Sequence, residues 1–411
     1  MATTGIAQES NEAAPYDSRL YPDSTFSEIT PPDKAQFEMR PRPGPEETDK
    51  FPEYIQYLVD VAEPRSQEEL DRDDPYMMRY TDALNLDSLF IGAPGFPAGY
   101  STEEFEAAIQ ESIDNNFDAV SLTMSNGSDA SVEEVIQRFK DMSNYIAENP
   151  SRYRHITSIE DFLITKSQGK IGIHYNFQSM NALDGNLKNI QMYYDLGLRQ
   201  MNFTYNVDNE WGAGGQANNG DPLAGVTELG FDAIREMNRL GIVIDCSHSA
   251  NQTCIDAAVA STKPIIMSHS NVAVLQPIPR NASDQAIQAV AAGGGAVCLN
   301  FIGGFLNPHG LARPYDIAKH VEYVGNLVGR EHVCSGSDYV FNYADTLEWI
   351  LLDPVQFPVE SGYATPSQMG KPQEVWGVAR VLEERFGWSG DEIRGFLGEN
   401  VLRVYRANWT E

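Results

Sequence analysis

The sequence predicts an α/β protein built on a (β/α)8 TIM barrel, with an irregular N-terminal arm and extra C-terminal helices. Between residues 80 and 337, apolar strand-like runs alternate with helical patterns. Several runs, such as those in GIVIDCSH and KPIIMSHS, are apolar almost without interruption, which is typical of parallel strands covered on both faces. Eight such strands with helices between them make the barrel the leading architecture.

The predicted elements follow these patterns along the chain. The strands are expected at Tyr80–Leu89, Ala119–Met124, Lys170–Phe177, Gln200–Thr204, Gly241–Cys246, Pro264–Ser268, Gly295–Asn300 and Val333–Ser337. The helices are expected at Thr102–Asn115, Val132–Glu148, Gly185–Leu196, Gly230–Leu240, Asp284–Ala292, Asp316–Val328 and Glu374–Phe386. The last helix belongs to a C-terminal segment that flanks the barrel.

The N-terminal part differs in composition from the rest. Residues 1–50 contain seven prolines and show little periodicity, which favours an irregular arm, and residues 66–80 have the pattern of an acidic helix. We therefore divide the chain into an arm with a leading helix, 1–78, and a barrel with C-terminal helices, 79–411.

Composition excludes some classes of partner. The 411 residues include 29 Lys and Arg against 59 Asp and Glu, a formal net charge of −30. Such a surface repels phosphate backbones, and no basic stripe offsets it, so we expect no nucleic-acid partner. No run of about 18 apolar residues occurs, and residues 1–30 lack the apolar centre of a secretory signal. We expect an acidic cytoplasmic protein that acts on a small molecule without a membrane partner, and a homodimer is compatible with this.

The four cysteines show no C-x-x-C pairing and lie in or near apolar segments: Cys246, Cys254, Cys298 and Cys334. This pattern favours buried free thiols over a disulfide framework or a thiolate metal site.

Polar side chains follow five of the predicted strands, at the end of the barrel where active sites lie. They are Gln178, Tyr205 with Asn206, His248, His269 and Asp338. Adjacent strands lie about 5 Å apart, so His248 and His269 can converge on one cation such as zinc, with Asp338 in reach of the same space. The alternative is that both histidines are structural and bonded only to protein groups.

Several separated motifs carry a family resemblance. They are MYYDLGLRQMNFTYNVDNEWGAGG, GFDAIREMNRLGIVIDCSHS, PIIMSHSNVAVLQPIPRNASDQ, LVGREHVCSGSDY and LGENVLRV. In this order and spacing, from about residue 80 to 405, the chain resembles the renal (membrane) dipeptidase family. The resemblance implies a metal-dependent barrel of the amidohydrolase type, which in the family holds two zinc ions and hydrolyses dipeptides with a bridging hydroxide.

Part of the family's site carries over onto this sequence. His248 and His269 match the two histidines that hold the second zinc. Asp338 matches the aspartate that handles the attacking water and its proton. Arg280 matches the arginine that binds the substrate carboxylate, a role suited to a planar bidentate donor.

The other half of the site departs from the family pattern. Where the first strand should carry His-x-Asp, TDALNLDSL places Leu84 and Leu86, with Asp82 as the family's preceding aspartate. A one-residue slip would offer Asn85 and Asp87 instead, and only one of these sets can face inward because strand side chains alternate. We favour the leucines as the inward set.

Two further substitutions affect the same half. Gln178 takes the place of the bridging glutamate, and an amide has no negative charge to share between two cations. Tyr205 replaces the substrate-contacting histidine. Together with the leucines, these changes argue against a binuclear zinc centre.

These residues predict a dipeptidase-like metallohydrolase with one zinc or other divalent ion on His248 and His269. Asp338 and Tyr205 are its catalytic candidates, and Arg280, Tyr205, Gln178 and Trp211 its candidates for substrate binding. The predicted substrate is a small carboxylate-bearing amide or related compound and not an ordinary dipeptide. The alternatives are a lyase or decarboxylase on the same barrel, or a non-catalytic descendant that binds a small molecule.

Overall fold

The computed structural model describes residues 40–61, 65–90, 101–126, 131–216, 224–409. Within them nine strands form one parallel sheet: β1 (Leu86–Phe90), β2 (Ala119–Ser125), β3 (Tyr153–His155), β4 (Ile171–Phe177), β5 (Leu198–Asn202), β6 (Val243–Asp245), β7 (Ile266–Met267), β8 (Ala296–Leu299) and β9 (Val333–Ser335). Eight of them follow the order β1-β2-β4-β5-β6-β7-β8-β9, and β3 pairs with the first half of β4. A parallel bridge from Phe90 to Tyr339 joins the two ends of this path. The predicted barrel is confirmed.

Sixteen α-helices surround the described sheet. They are α1 (Phe51–Val61), α2 (Gln67–Asp71), α3 (Asp74–Arg79), α4 (Thr102–Asp114), α5 (Val132–Glu148), α6 (Ile159–Ser167), α7 (Lys188–Asp195), α8 (Glu228–Leu240), α9 (Asn251–Ala260), α10 (Asp284–Ala292), α11 (Gly303–Leu306), α12 (Pro314–Val328), α13 (Tyr343–Leu352), α14 (Glu374–Phe386), α15 (Gly390–Arg394) and α16 (Asn400–Asn408). The seven predicted helices all form, with ends within three residues of the expected ones.

Local sequence explains where several helices begin. Ser101, Ser131, Ser158 and Ser389 each accept a hydrogen bond from the backbone N–H three residues on, where a Glu or Asp bonds back to the serine N–H. These reciprocal bonds satisfy two of the N–H groups that a helix leaves unpaired at its start.

Two sequence predictions about strands were wrong. The first strand begins at Leu86 and not at Tyr80, because Tyr80 ends α3 and the following residues turn before the strand starts. The structure also adds β3, whose three residues include Arg154 and His155 and give no apolar run to detect.

The barrel interior is apolar at the amino ends of its strands. We call this group the floor cluster: Leu84, Leu86, Ala119, Ile156, Phe162, Val243, Ile266, Ala296, Cys298, Cys334, Val401, Leu402, Val404, Tyr405 and Trp409. It combines first residues of strands with one face of α16, so the C-terminal helix closes the bottom of the barrel. The stacked rings of Phe162, Tyr405 and Trp409 fill this end.

The segment before β1 packs on the barrel and continues its core. Arg65 is nearly buried and pairs with Asp73 at 2.6 Å and with Glu374 of α14 at 3.0 Å. The predicted acidic helix at 66–80 is split into α2 and α3. Most of the predicted irregular arm, residues 1–39, lies outside the described residues, and α1 packs against α13.

The expectation of free thiols was wrong. Cys246 pairs with Cys254, and Cys298 pairs with Cys334, so the four cysteines form two disulfides. Cys298 and Cys334 are direct neighbours across β8 and β9. Because they are 36 residues apart in the chain, the sequence alone did not predict this contact.

A membrane-spanning helix was not expected from the sequence. Among the described segments, every helix is too short or too polar to cross a bilayer.

Candidate active site

Two histidines meet at the carboxyl end of the barrel. His248 follows β6 and His269 follows β7, both are nearly or fully buried, and their Nε2 atoms lie 2.7 Å apart. His248 has a left-handed backbone with φ of 65°, a conformation that a non-glycine residue adopts only when its surroundings hold it there. The prediction that adjacent strand ends bring these side chains together holds.

Oxygen partners fix the outer nitrogen of each ring. His248 Nδ1 lies 2.6 Å from Asn206 Oδ1, and the amide is oriented by its Nδ2, which donates to Gln356 O at 3.0 Å. Because an amide oxygen only accepts, His248 Nδ1 carries the proton and Nε2 keeps its lone pair. His269 Nδ1 lies 2.6 Å from Ser268 Oγ.

Both imidazoles are neutral near pH 7. Burial, together with the positive charge of Arg280, lowers the pKa of His248 and of His269 well below the usual range. Neutral imidazoles are the form that binds metal ions.

Arg280 lies directly against the histidine pair. Its Nη2 is 3.2 Å from His248 Nε2 and 3.0 Å from His269 O, and only 4% of the residue is exposed. Its Nε is buried without a hydrogen-bond partner, and within the described ranges no carboxylate lies within ion-pair distance of the guanidinium. A buried cation with an unused donor is suited to an anionic ligand.

Asp338 completes this group from the loop after β9. Its Oδ2 accepts from Asn300 Nδ2 at 2.6 Å, and burial raises the pKa of Asp338 to about 6 despite the opposing charge of Arg280. Like His248, Asp338 has a left-handed backbone, with φ of 55°. Two residues earlier the chain needs a glycine, because a Cβ at Gly336 would lie 1.8 Å from Ser268 O.

Tyr205 covers the histidines from the side opposite the barrel floor. Its ring stacks on His248 with centroids 4.2 Å apart, and Trp349 and Phe357 pack on it. Burial raises the pKa of Tyr205 well above its usual range, so the hydroxyl keeps its proton. Asp338 raises this pKa further and Arg280 lowers it, which places all three groups within electrostatic reach of one another.

The aromatic residues around Tyr205 form a second cluster, which we call the roof cluster. Its members are Phe51, Tyr54, Leu58, Tyr205, Phe305, Leu347, Ile350, Leu351, Phe357, Tyr363 and Ala364. It joins α1 and α13 to the strand-end residues, and Tyr363 Oη contacts Asn206. The roof shields the histidine pair from solvent.

Sequence reasoning missed several residues that complete the site. Ser268 and Asn300 are the last residues of predicted strands, so the rule used to find the histidines could also have selected them. Tyr363 lies 25 residues beyond Asp338 in a segment without a strand signal, and only the fold brings it to Asn206.

Two predicted substrate-binding residues are buried and make contacts other than with the histidine pair. Gln178 is buried at the end of β4, where its Nε2 donates to Thr123 Oγ1 at 3.1 Å, and no described hydrogen bond joins it to the histidines. Trp211 is fully buried in the main core, and its backbone O accepts from Thr227 N at the start of α8. Substrate binding by Gln178 and Trp211 stays a prediction.

The placement of the first strand corrects the sequence alignment of its polar residues. Leu84 and Leu86 do face inward, but they belong to the floor cluster and not to the pocket. Asp82 is at the surface, paired with Arg394. Asp87 instead accepts bonds from the backbone N and the hydroxyl of Ser337, next to Asp338, and burial raises its pKa to about 6. A register shift between Asp87 and Phe90 accompanies this arrangement.

Two imidazole nitrogens are the donors that the described residues would offer to a divalent ion. Both Nε2 atoms converge in a buried space, and both Nδ1 atoms have the oxygen partners that metal-binding imidazoles need. At 2.7 Å the two nitrogens are hydrogen-bonded, with His269 Nε2–H donating to the lone pair of His248 Nε2, so a bound ion would have to replace this bond. Within the described part of the chain, no three His, Cys, Asp or Glu side chains are grouped to hold a metal. The described residues therefore offer two imidazole ligands and no second metal position.

Comparisons with known proteins agree with this architecture. The chain is 31% identical over 59% of its length to an uncharacterized dipeptidase of Schizosaccharomyces pombe, of which the match spans 54%. It is 30% identical over 67% of its length to an uncharacterized protein from the pqqA 5′ region of Klebsiella pneumoniae, covering 96% of that protein. The crystal structure of an amidohydrolase from Pseudomonas aeruginosa superposes with a TM-score of 0.70 at 26% identity, over 82% of this chain and 99% of that one. The model of the membrane dipeptidase family, peptidase family M19, matches residues 100–349, and the chain belongs to that family.

Proposed function

We propose that this protein is a hydrolase for a small amide that bears a free carboxylate, working with a single divalent ion. One observation carries the proposal. Arg280 is a buried cation with an unused Nε donor, and it lies within 3.2 Å of the histidine pair. A carboxylate bound there would hold the rest of the substrate against His248, His269 and Asp338.

Arg280 supplies the specificity for a carboxylate. The buried Nε–H of Arg280 has lost its water and gains nothing in return unless an acceptor replaces that water. A carboxylate can accept from Nε and Nη2 together, and such bidentate pairs fix orientation as well as affinity. The ring of Phe305, 5.4 Å from the guanidinium carbon, supports it from one side.

His248 and His269 are the residues that would hold the ion. When bound, a divalent ion acidifies water and polarises a carbonyl. The chain's own contribution is to keep both imidazoles neutral by burial, and to fix their orientation through Asn206 and Ser268.

Asp338 and Tyr205 are placed to move protons. The carboxyl of Asp338, with a pKa of about 6, is mostly ionised at pH 7 and can take a proton from the attacking water and return it to the leaving amine. The Tyr205 hydroxyl keeps its proton and can donate a hydrogen bond to the oxygen that becomes negative. The roof cluster excludes water, which strengthens these interactions.

A substrate panel tests the proposal. The purified protein, supplied with zinc, would be incubated with N-acyl amino acids, ordinary dipeptides and their carboxamide counterparts, and the products measured by mass spectrometry. We expect cleavage of at least one acid and none of its carboxamide, with weaker cleavage of dipeptides. Asp338→Asn is the matched control because it keeps the size of the side chain.

The panel also separates the alternatives. Equal cleavage of acid and carboxamide contradicts the role of Arg280. Loss of CO2 or another eliminated group instead of amide cleavage indicates a lyase or decarboxylase. Saturable binding without any product indicates the non-catalytic descendant.

A further inference from the structure

We propose that a cavity on the outside of the barrel, away from the histidine pair, binds a free α-amino acid with an apolar side chain. The cavity is lined by residues of α5, by the end of β3, and by the chain from the last turn of α7 into β5, and its volume is about 710 Å³. Pockets for small molecules have volumes of this order. The inference goes beyond the proposed hydrolysis, because it concerns other residues and a ligand that undergoes no reaction.

Three charged side chains line this cavity without forming an ion pair. Arg199 and Lys140 are positive and Asp195 is negative, and within the described ranges no opposite charge lies at ion-pair distance from any of them. Burial lowers the pKa of Arg199 while Tyr194 and Asp195 oppose this effect, so the Asp195 carboxylate is within electrostatic reach of the guanidinium. Opposite charges that share a cavity without pairing are complementary to a ligand that carries both an ammonium and a carboxylate.

The guanidinium of Arg199 is fixed in place with one nitrogen left over. Its Nε donates to Thr157 O at 3.1 Å, and its Nη1 donates to Tyr194 O and Leu198 O, both at 3.0 Å. The ring of Tyr194 lies 4.1 Å from the guanidinium carbon. Nη2 makes no hydrogen bond to the described protein, and solvent reaches it. A donor held in this way loses little freedom when it binds a carboxylate, which favours binding.

The remaining wall of the cavity suits an apolar side chain. Phe139 and Leu196 contribute apolar surface. His155 adds a neutral ring, because burial lowers its pKa to about 4, and its Nε2 is buried without a hydrogen-bond partner. This ring can lie close to the chain only because residue 197 is a glycine, since a Cβ at Gly197 would lie 2.5 Å from His155 Cε1. The uncharged part of the cavity therefore accepts a hydrocarbon side chain better than a polar one.

The cavity and the candidate active site lie at opposite ends of β5. Arg199 is in the first half of this strand, whereas Tyr205 and Asn206 follow its last residue. An amino acid in the cavity would therefore leave the histidine pair free. The proposed hydrolysis of an N-acyl amino acid releases such an amino acid, so the cavity would bind a product of the same protein.

NMR of the histidine rings locates the binding without using activity. The full chain, with its seven histidines labelled with ¹³C at Cε1, would be titrated with L-leucine. We expect the His155 resonance, assigned with His155→Gln, to shift until the cavity is saturated. Three analogues should each bind at least about fivefold more weakly: isocaproate, which lacks the ammonium, isoamylamine, which lacks the carboxylate, and glycine, which lacks the side chain.

Two exposed positions test the charges where a substitution leaves the core untouched. Lys140→Gln and Asp195→Asn should each weaken the binding of L-leucine by at least about fivefold. Lys188→Gln is the matched control, because Lys188 is an exposed lysine of α7 that does not line the cavity. Its affinity for L-leucine should equal that of the wild type.

Each contrary result overturns the assignment. Isocaproate that binds as tightly as L-leucine shows a site for anions and not for amino acids. A shift of His248 and His269 without a shift of His155 places the amino acid in the active site. Full affinity in both Lys140→Gln and Asp195→Asn shows that the charges of the cavity do not bind the ligand. None of these results bears on amide hydrolysis, which the substrate panel tests separately.

Discussion

His248 Nε2 and His269 Nε2 lie 2.7 Å apart at the ends of neighbouring strands, and the far nitrogen of each ring contacts an oxygen, that of Asn206 for His248 and that of Ser268 for His269. We expect at most one transition-metal ion per chain, because these two imidazoles are the ligands that the described residues bring together. Elemental analysis of protein purified without chelator, then loaded with zinc and an acid ligand, measures the ratio. His248→Ala and His269→Ala should each abolish retention, whereas His309→Ala, in a loop outside the site, should not. Two tightly held ions per chain would contradict the site.

Asp338→Asn should lower the rate of amide cleavage by about 10²-fold or more while the fold is kept, because a positioned base typically contributes this much. In the wild type, activity should fall as the pH drops through about 6, where the carboxyl takes up its proton. Asn300→Ala removes a hydrogen bond that favours the charged carboxylate of Asp338. The acid limb of the pH–rate profile of this variant should therefore move to higher pH. A pH–rate profile unchanged in Asn300→Ala would exclude Asp338 as the titrating group.

The same carboxyl should affect stability in a pH-dependent way. Its folded-state pKa is raised, so the ionised form is disfavoured in the folded protein and stability is lost as the pH rises through about 6. Asp338→Asn should therefore gain stability relative to wild type between pH 5 and pH 8, by about 1.4 kcal/mol, because only the interval from pH 5 to the folded-state pKa of about 6 contributes. Urea unfolding of both proteins at pH 5 and at pH 8 measures this change. A difference in unfolding free energy between variant and wild type that is equal at the two pH values would contradict the buried charge.

Tyr205→Phe should distinguish the role of the Tyr205 hydroxyl from the role of its ring. The phenyl ring can still stack on His248, so zinc retention and melting temperature should stay near those of the wild type, while kcat falls by about 10²-fold. Tyr54→Phe is the matched control: its hydroxyl donates to Ala364 O in the same roof cluster, away from the reacting groups. Equal loss of kcat in both variants would indicate that the hydroxyls act through the packing of the roof.

Arg42 should hold the roof in place. Its guanidinium donates to Ile350 O at 2.7 Å and to Phe357 O, so Arg42→Ala should destabilise the protein by about 1–3 kcal/mol and speed hydrogen exchange in residues 343–364. Arg40→Ala is the control, since Arg40 is half exposed and contacts Glu53 and the ring of Tyr57 in α1, and no described bond joins it to residues 343–364. Exchange that rises equally in both variants would mean that the contacts of Arg42 do not hold this segment.

The two disulfides should differ in their contribution to stability. Cys298 and Cys334 are 36 residues apart and Cys246 and Cys254 are 8 apart, so chain entropy predicts a larger loss of about 1.3 kcal/mol when the first pair is replaced by alanines. Urea unfolding of the two double variants measures the difference. Alkylation of the unreduced, denatured protein should modify no cysteine, and four modified thiols would contradict both pairs.

The sequence by itself predicted the barrel, most of its helices and strands, and several residues of the candidate site. Apolar runs with helices between them predicted the barrel, because strands covered on both faces need uninterrupted apolar residues. Polar residues at strand ends identified His248, His269 and Asp338, because the carboxyl ends of barrel strands face one another, and the family resemblance added Arg280. These inferences needed only local patterns and the general geometry of the fold.

Only the tertiary structure decided how those residues meet. Leu84 and Leu86 lie in the floor and Asp87 beside the site, because the first strand begins several residues later than its apolar run suggested. The contacts of Arg280 with His248 and of Tyr363 with Asn206 join segments 32 and 157 residues apart. Such pairings depend on strand register, loop paths and the packing of distant segments, none of which a local sequence pattern encodes.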